Sequence, residues 1–271
     1  MENLMKILTI SFMVLITLSN ATIAQQVNIC DCEKEWVPYT YYQRVNGQPD
    51  KSELTGAVVE LLDEVFKLIE MEYTITMLPW KRCTKAVKNF SKQKKYEIFI
   101  NGSFSMERAE EYYLSIPIYK TRKGVFYSSR KYPAGIPISK LSDLNNFDIC
   151  GIHGYNSEYM YTGDGLKKDK KIDTGAKSVH DALRKIASGR CDLLLTSIEP
   201  VYGAAQIGKY NIPKYISVIP MSEMEPTTFH IFISRSSPRA YELLTKINQA
   251  ILILQHNGVS KEIFKKYLPE L

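Results

Sequence analysis

Hydrophobic positions along the chain switch repeatedly between the spacing of a strand and the spacing of a helix. Residues 27–32 and 73–78 have the pattern of strands, and between them apolar side chains recur at helical spacing over residues 54–69. Pro79 suits the first position of the next helix, and residues 97–100 predict another strand. This first part of the chain therefore predicts a βαβαβ unit with a doubly wound sheet.

A second unit of the same kind follows Pro137. Its predicted elements are a strand at residues 147–151, a helix opened by residues 154–157, a helix at 179–187, a strand at 191–195 and a helix at 199–207. Two further helices, at residues 241–255 and then up to Tyr267, end the chain. The whole pattern is typical of an α/β protein.

Two short strand-like segments, residues 123–129 and 227–235, lie at the two ends of the second unit. Two strands that link two α/β units predict a hinge between two lobes. We expect the first lobe to contain residues 27–123 plus 231–271, and the second lobe to contain residues 124–230 with the hinge strands at its ends.

The first 24 residues have the composition of a secretory signal peptide. A lysine precedes an almost wholly apolar run over residues 7–18, and small side chains at Thr22 and Ala24 suit a signal peptidase. The apolar run is shorter than the roughly 20 residues that a membrane-spanning helix needs. We therefore expect an exported, periplasmic protein with a signal peptide at residues 1–24, and a retained N-terminal anchor is the alternative.

The charge of the chain does not favour nucleic acid as a partner. The 271 residues carry a formal net charge of +6, and the lysines form only short patches within residues 92–95 and 167–171. These patches lack the interleaved aromatic side chains that are typical of nucleic-acid binding. A mild basic excess fits an anionic small ligand or simple solubility.

The five cysteines leave at least one unpaired or bonded to another chain, because their number is odd. Cys150 and Cys191 lie in apolar, strand-like runs and are expected to be buried free thiols. Cys30 and Cys32 lie on the same face of a strand and are too constrained to bridge each other. A bond from either of them to Cys83 is left open. The spacing matches no zinc site.

No catalytic, metal or cofactor motif stands out in the sequence. None of the four histidines lies in a metal-ligand spacing, and neither a Gly-x-Ser-x-Gly motif nor a glycine-rich phosphate loop is present. We therefore expect no catalytic residue, no metal and no cofactor.

The segment from Asn101 to Arg108 is the strongest candidate for ligand chemistry. A strand ends there, a polar turn presents Gly102 and the hydroxyl of Ser103, and Arg108 follows at the start of a helix. α/β sheets bind ligands at the carboxyl ends of their strands. A guanidinium matches a carboxylate with two parallel hydrogen bonds. The segment therefore predicts an anion site, with an ordinary surface arginine as the alternative.

Several short motifs, in their order and spacing, resemble the bacterial extracellular solute-binding proteins of family 3. They are Glu35-Trp36-Val37-Pro38-Tyr39, Leu54-Thr55-Gly56, Pro79-Trp80-Lys81-Arg82, Glu107-Arg108, Leu114-Ser115-Ile116-Pro117 and Gly189-Arg190-Cys191-Asp192. The resemblance covers nearly all of the chain after residue 24, and its Pro-Trp-x-Arg motif is similar to one branch of the family. It implies a type II periplasmic binding fold, in which two α/β lobes close around a small ligand.

The resemblance also implies which residues hold the ligand. The carboxylate-binding arginine of the family falls on Arg108, and its carboxylate-binding hydroxyl falls on Ser103. In the second lobe, the backbone amides of Tyr155 and Asn156 are implied as further donors to the same anion. The alternative for Asn156 is an ordinary helix cap.

One departure from the family concerns the ligand's ammonium group. The acidic residue that pairs with this ammonium in amino-acid binders falls on Ser197, which carries no charge. Glu199 is either its replacement or the first-turn acid of the next helix. The ligand is therefore expected to differ from a standard α-amino acid, with weak or no binding of glycine, alanine, glutamine or lysine.

Aromatic residues are the remaining candidates for the cleft. Trp36, Tyr39 and Trp80 fall where the family's first lobe faces the ligand, and rings there can contact its apolar or cationic part. For Trp80 the alternative is burial under the following helix. Arg82 is either a second polar contact or a surface residue.

Together these features predict a monomeric solute-binding protein that captures a carboxylate-bearing ligand for a membrane permease or a sensor, and that is not an enzyme. The alternative is a periplasmic dehydratase of the same fold that acts on prephenate-like substrates. Such catalysis needs an acid or base of tuned pKa beside the anion site, and Glu199 and His153 are the only local candidates.

Overall fold

The structure is a computed structural model that describes residues 26–268. The strands are β1 (Val27–Cys32), β2 (Tyr41–Val45), β3 (Gln48–Thr55), β4 (Tyr73–Leu78), β5 (Ile98–Ser103), β6 (Tyr112–Leu114), β7 (Tyr119–Thr121), β8 (Lys123–Ser128), β9 (Ile149–Ile152), β10 (Ile172–Ala176), β11 (Leu193–Ser197), β12 (Ile216–Pro220) and β13 (Thr227–Ser234). The α-helices are α1 (Ala57–Leu68), α2 (Trp80–Lys88), α3 (Phe90–Gln93), α4 (Met106–Glu111), α5 (Val179–Ala187), α6 (Ile198–Gln206), α7 (Ala240–His256) and α8 (Val259–Tyr267). Within residues 26–268, no helix has the length and apolar character needed to cross a membrane.

The strands form two main sheets and a separate hairpin. The first sheet has the order β4-β1-β5-β13-β6, with β7 also paired to β13, and the second has the order β10-β9-β11-β8-β12. In each sheet three parallel strands form a doubly wound half, and antiparallel strands complete it. The two-lobe α/β architecture predicted from the sequence is confirmed.

Helices cover both faces of the first sheet. The apolar stripe of α1, with Leu61, Leu62 and Val65 fully buried, packs together with α7 and α8 on one face. The opposite face packs on α2, and there the rings of Phe99 and Phe232 stack with their centroids 4.5 Å apart. Each such buried side chain stabilises the fold by roughly 1.5–3 kcal/mol. Because the faces are covered, the ends of the strands are the places left for a ligand.

The chain passes between the sheets twice. Arg122 links β7 to β8, and residues 221–226 link β12 to β13. The sequence analysis placed Lys123 in the first lobe and residues 227–230 in the second, whereas strand pairing puts Lys123 in the second sheet and residues 227–230 in the first. Strand β8 pairs along its whole length within the second sheet, and β13 does so within the first. The connections between the lobes are therefore the short segments that flank these strands.

The cysteine pairing differs from the prediction. Cys150 and Cys191 form a disulfide, with their Cα atoms 5.6 Å apart, so the prediction that both are free thiols is wrong. Parallel pairing brings the start of β11 beside β9, and the apolar pattern of either strand alone does not reveal this contact. Cys30 bonds to Cys83, which was one of the open alternatives, and Cys32 is the free cysteine.

Two local segments also differ from the sequence analysis. Residues 41–55 form the hairpin of β2 and β3, which was not predicted because most of its side chains are exposed and show no strand-like alternation. Residues 154–157 do not open an α-helix. Gly154, at a φ of 81°, makes a turn that leads into a short 3₁₀ helix at Glu158–Tyr161.

Candidate functional site

A cavity of about 560 Å³ lies between the two lobes. Its first-lobe wall includes Asp31, Trp36, Trp80, Asn101, Ser103 and Arg108, and its second-lobe wall includes Lys123, Tyr155, Asn156, Tyr159 and Ser197. Most of these residues lie at the carboxyl ends of β1, β4, β5, β9 and β11, or directly after them. That is where α/β sheets place their ligands, and the volume is in the range of small-molecule sites.

The guanidinium of Arg108 is held against the first-lobe wall. Ser105 caps α4, because its Oγ accepts a hydrogen bond from the backbone N of Arg108 at 3.2 Å. Nη1 of Arg108 then donates to the carbonyl oxygen and to Oγ of Ser103, at 2.7 and 3.0 Å. The guanidinium carbon lies 5.6 Å from the centroid of the Trp80 ring, within the range of a cation–π contact. Neighbouring groups therefore fix the position of this cation.

Arg108 forms no ion pair with a carboxylate among residues 26–268, although Glu107 and Glu158 act on its charge from a distance. Its Nε and Nη2 donate to none of these residues. Burial lowers the pKa of Arg108, but a guanidinium stays charged at physiological pH. A half-buried cation without a counter-ion is unfavourable. A ligand carboxylate would supply the missing charge and accept the remaining hydrogen bonds.

A buried polar network lies beside this arginine. Nδ2 of Asn101 donates to Oδ2 of the fully buried Asp31 at 2.6 Å and to Oγ1 of Thr40 at 2.8 Å. Oδ1 of Asn101 accepts a hydrogen bond from the hydroxyl of Tyr119 at 2.8 Å. Burial raises the pKa of Asp31 to about 7, although the Asn101 hydrogen bond opposes the change. The first-lobe wall therefore contains an acid that titrates near neutral pH.

Trp36 joins this network to the aromatic part of the cavity. Its Nε1 donates to the Tyr119 hydroxyl at 3.0 Å, and its ring lies 5.8 Å from the ring of Phe229. The ring of Tyr155, from the second lobe, meets Trp36 edge-on at 6.1 Å. One aromatic contact of the cavity therefore spans both lobes.

The second-lobe wall contributes the ammonium group of Lys123, a half-buried residue at the start of β8. Its Nζ donates to Oγ of Ser197 at 3.4 Å and lies 4.6 Å from the centroid of the Tyr159 ring. The Ser197 hydroxyl is also hydrogen-bonded to Oγ1 of Thr121 at 2.8 Å. Burial lowers the pKa of Lys123 to about 8, and the charge of Glu199 opposes this only in part.

Ion pairs and hydrogen bonds connect the lobes beside the cavity. Glu35 of the first lobe accepts two hydrogen bonds from Arg44, each of 2.8 Å, and forms an ion pair with Lys209 of the second lobe at 3.0 Å. Nζ of Lys34 donates to the carbonyl oxygen of Lys177 at 2.8 Å. Burial alone would raise the pKa of Glu35, but Arg44 and Lys209 outweigh it and lower this pKa to about 2. The lobes are therefore in direct contact across the cleft.

The sequence model of bacterial extracellular solute-binding proteins, family 3, matches residues 29–270. The chain belongs to this family. No curated protein matches the chain.

Solved structures of low sequence identity share the fold of this family-3 protein. A histidine kinase sensor domain with similarity to periplasmic binding proteins is 17% identical, covers 91% of this chain and 98% of its own, and has a TM-score of 0.68. The arginine-, lysine-, histidine-binding protein ArtJ from Geobacillus stearothermophilus is 20% identical, with coverages of 91% and 98% and a TM-score of 0.66. The ancestral amino-acid-binding protein AncCDT-1, a precursor of cyclohexadienyl dehydratase, is 15% identical, with coverages of 90% and 96% and a TM-score of 0.63. The type II periplasmic binding fold that the resemblance implied is confirmed.

The cavity of this family-3 protein brings together most of the predicted site residues. Those that line it are Arg108, Ser103, Trp36, Trp80, Tyr155, Asn156 and Ser197. His153, one of the two acid–base candidates for the dehydratase alternative, also lines it. Four predicted ligand contacts do not line the cavity: Tyr39, Gly102, Arg82 and Glu199.

Tyr39 and Gly102 belong to the core of the first lobe. The Tyr39 side chain is fully buried and stacks on Tyr119, with ring centroids 3.8 Å apart, so it cannot reach the cavity. At Gly102 a Cβ atom would lie 2.4 Å from the ring of Phe232 and 2.8 Å from that of Phe99. This glycine is therefore required by aromatic packing, not by the ligand.

Arg82 lies at the surface of the first lobe, and Glu199 lies at the connection between the lobes. Arg82 is exposed on α2, next to Cys83, which faces the core. The carboxylate of Glu199 is buried and accepts hydrogen bonds from the backbone N and Nε of Arg122, at 3.1 and 2.9 Å. Glu199 thus fixes the connection between the lobes, and the second acid–base candidate for catalysis does not line the cavity.

Of the two backbone amides of the implied anion site, that of Tyr155 is engaged within its own lobe, whereas that of Asn156 donates to none of residues 26–268. The backbone N of Tyr155 donates to the carbonyl oxygen of Ile152 at 3.0 Å, which closes the turn at Gly154. Oδ1 of Asn156 accepts a hydrogen bond from the backbone N of Glu158 at 2.9 Å, although the N-cap of the following 3₁₀ helix is Ser157. The side chain of Asn156 therefore fixes the turn before this helix, close to the helix-cap alternative.

Sequence reasoning missed two charged residues of the cavity, Asp31 and Lys123. The alternation of β1 gives a signal for Asp31, because it points to the opposite face from Cys30. For Lys123 the signal is its place at the start of a strand that leads out of a lobe connection, where a long side chain can turn back to the cleft.

Proposed function

We propose that this protein binds a small carboxylate-bearing solute between its two lobes, in the periplasm, and presents it to a membrane permease or a sensor without chemical change. The family supports the general class of the function. The nature of the ligand follows from charges in the cavity, and the destination of the solute from the kinds of protein that share the fold.

The half-buried, unpaired guanidinium of Arg108 is the observation that carries the carboxylate assignment. Ser103 and Trp80 hold it in place, and two of its nitrogens have no partner among residues 26–268. Nη1 donates to Oγ of Ser103, so the hydroxyl hydrogen of Ser103 is free to donate to an anion. A carboxylate bound there would accept hydrogen bonds from both residues.

The periplasmic location and the two kinds of partner rest on different grounds. The predicted signal peptide at residues 1–24 supports export, and it lies outside the described residues. The proteins of the same fold include a substrate-binding protein of an amino acid ABC transporter and a histidine kinase sensor domain. A permease and a sensor are therefore both consistent with this fold.

The surroundings of Glu199 favour binding without turnover. Prephenate-like dehydration requires a general acid or base beside the substrate. Glu199 is engaged by Arg122 at the connection between the lobes and does not line the cavity. His153 and Asp31 do line the cavity, so the choice rests on the family: we propose capture and release, with saturation by the ligand and no product when the protein is incubated with prephenate.

The test begins with native mass spectrometry of the freshly purified protein, which should identify a co-purified acid. Calorimetric titration with that acid then compares wild type, Arg108→Ala and Arg108→Lys. Truncating one partner of a buried charge pair costs about 2–5 kcal/mol, so Arg108→Ala should lose roughly thirtyfold to several thousandfold in affinity. Arg108→Lys should recover only part, because an ammonium lacks the two-pronged geometry.

Arg82→Ala is the matched control, since Arg82 is an exposed arginine outside the cavity. It should bind within threefold of wild type, and all variants should keep the melting temperature of the ligand-free protein to within a few degrees. If Arg108→Ala also binds within threefold of wild type, Arg108 is an ordinary surface charge and the carboxylate assignment fails.

A further inference from the structure

We propose that the ligand carries a second anionic group, bound by Lys123, and that it is a dicarboxylate whose two ends connect the lobes. This inference rests on the proposed carboxylate site at Arg108 and specifies what lies opposite to it. It assigns a role to Lys123, which none of the sequence motifs indicated.

Lys123 presents a cation to the cavity without an anionic partner. No carboxylate among residues 26–268 forms an ion pair with it, and its Nζ contacts only the Ser197 hydroxyl and the ring of Tyr159. Glu199, the nearest acid that acts on it, already accepts hydrogen bonds from Arg122. Burial lowers the pKa of Lys123 to about 8, so the ammonium form still predominates at neutral pH. An anion beside Nζ would offset the cost of this burial.

The acids that line the cavity do not neutralise this charge. Glu35 is engaged by Arg44 and Lys209 beside the cavity, and Glu33 is exposed. Asp31 is fully buried in the first-lobe wall, where Asn101 holds one of its oxygens. Arg108 on one wall and Lys123 on the other are therefore two fixed cations that form no ion pair with a carboxylate of residues 26–268, although Glu107 and Glu158 act on the charge of Arg108 from a distance.

The same geometry disfavours an ammonium group at this end of the ligand. Ser197 is the position at which the resemblance implies an acid, and Nζ of Lys123 lies 3.4 Å from its hydroxyl. A ligand ammonium placed there would meet a like charge in a partly desolvated site, which is unfavourable. A carboxylate would instead accept hydrogen bonds from both Lys123 and Ser197.

A ligand that binds both Arg108 and Lys123 also holds the two lobes together. Arg108 belongs to α4 of the first lobe and Lys123 to β8 of the second. A dicarboxylate can satisfy both only when the lobes are together, whereas a monocarboxylate satisfies only one. The cavity of about 560 Å³ is large enough for acids of four to six carbons.

Three probes of equal length test the inference by calorimetric titration at pH 7 and one salt concentration: glutarate, pentanoate and 5-aminopentanoate. Succinate and adipate extend the dicarboxylate series. We expect the best dicarboxylate to bind at least about thirtyfold more tightly than pentanoate, and 5-aminopentanoate to bind more weakly still. Lys123→Met, which keeps an unbranched side chain against Tyr159, should reduce this preference to within threefold. Lys120→Met, at an exposed lysine of β7 outside the cavity, should leave it unchanged.

The outcomes separate this inference from the proposed function. If Arg108→Ala weakens every acid but wild type shows no preference for any dicarboxylate, or if Lys123→Met keeps the preference, the second anionic group is refuted and the carboxylate site stands. If a dicarboxylate binds and neither variant weakens it, both proposals fail. Absence of binding by all five probes also refutes the inference. If Lys123→Met does not fold, Lys123→Arg replaces it. The inference then requires that both wild type and Lys123→Arg prefer a dicarboxylate to pentanoate, and it fails if either does not.

Discussion

The two walls of the cleft differ in how their residues are brought together. In the first-lobe wall, Ser103 and Arg108 are five residues apart in one strand–turn–helix segment, and both were predicted. In the second-lobe wall, Lys123 and Ser197 are 74 residues apart and meet only because β8 and β11 pair in antiparallel register. There the backbone N of Tyr155, a predicted anion donor, is engaged by Ile152, and Lys123 was missed.

This difference has a physical cause. A local segment determines its own geometry through one cap and one turn, so its sequence is sufficient to place an arginine beside a hydroxyl. A wall that depends on strand register needs the pairing of the whole sheet, because a shift by one residue would turn Lys123 to the other face. The walls should therefore respond differently to perturbation.

Removal of the disulfides should have the largest effect. Cys30–Cys83 ties β1 to α2 in the first lobe, and Cys150–Cys191 ties β9 to the segment just before β11 in the second. The sequence separations, 53 and 41 residues, are similar, so each double Cys→Ala variant should lose about 4 kcal/mol of unfolding free energy. Denaturant titrations followed by circular dichroism measure this loss.

Tryptophan fluorescence assigns each loss to a lobe, because Trp36 and Trp80 are the two tryptophans of the chain and both lie in the first-lobe wall. Loss of Cys30–Cys83 should move the fluorescence transition to lower denaturant concentration. Loss of Cys150–Cys191 should move the circular dichroism transition more than the fluorescence transition. Cys32→Ala, at the free cysteine, is the control and should change either transition far less. Equal shifts of both probes in both variants would mean that the lobes unfold as one unit.

The sequence predicted the alternation of elements, the two lobes and the local anion site, because each depends on neighbouring residues. The errors concern contacts between distant residues. Gly102 was taken for a ligand contact, but it makes room for Phe232, more than 100 residues away. Glu199 was considered as an ammonium partner, but it binds Arg122, 77 residues earlier in the chain. The Cys150–Cys191 bond depends on parallel pairing in the same way.

A smaller effect is expected from Asp31, which gives the first-lobe wall its own pH dependence. Burial raises the pKa of Asp31 from 3.8 to about 7, so between these values the folded protein holds a proton that the unfolded chain has lost. Stability from this group is complete below pH 4 and is lost as the pH rises to about 7. Relative to wild type, Asp31→Asn should therefore gain roughly 2–3 kcal/mol between pH 5 and pH 8.

Denaturant titrations of wild type and Asp31→Asn at pH 5, 6, 7 and 8 measure this gain. The groups that face Asp31 are Asn101, Thr40, Cys32 and Tyr119. Burial raises the pKa of the Cys32 thiol and of the Tyr119 hydroxyl, so neither titrates in this range. Asp173→Asn is the control, because the hydrogen-bonded ion pair with Lys185 lowers the pKa of Asp173 below its ordinary value, so this carboxylate stays ionised from pH 5 to pH 8. A constant difference between Asp31→Asn and wild type would show that Asp31 is ionised throughout.

The smallest effect should come from Lys209, which connects the two walls. Its ion pair with Glu35 crosses the cleft, whereas the two hydrogen bonds from Arg44 to Glu35 lie within the first lobe. Lys209→Gln therefore removes this ion pair, together with the hydrogen bond from Lys209 to the carbonyl oxygen of Lys34, and leaves Glu35 paired with Arg44. A partly exposed pair contributes about 0.2–1 kcal/mol, so the ligand-free protein should shift measurably toward an open form, with a larger radius of gyration in X-ray scattering. Lys185→Gln removes an ion pair inside the second lobe and should leave the radius unchanged.

The contact between Glu35 and Lys209 should also be insensitive to pH near neutrality. Because the pKa of Glu35 is about 2, the ion pair is fully formed at any pH above the ordinary pKa of a glutamate, and it is lost only as the pH falls toward 2. The radius of wild type should then be constant from pH 5 to pH 8. An identical radius for Lys209→Gln and wild type would mean that the remaining contacts, Trp36 on Tyr155 and Lys34 with Lys177, hold the lobes together without this ion pair.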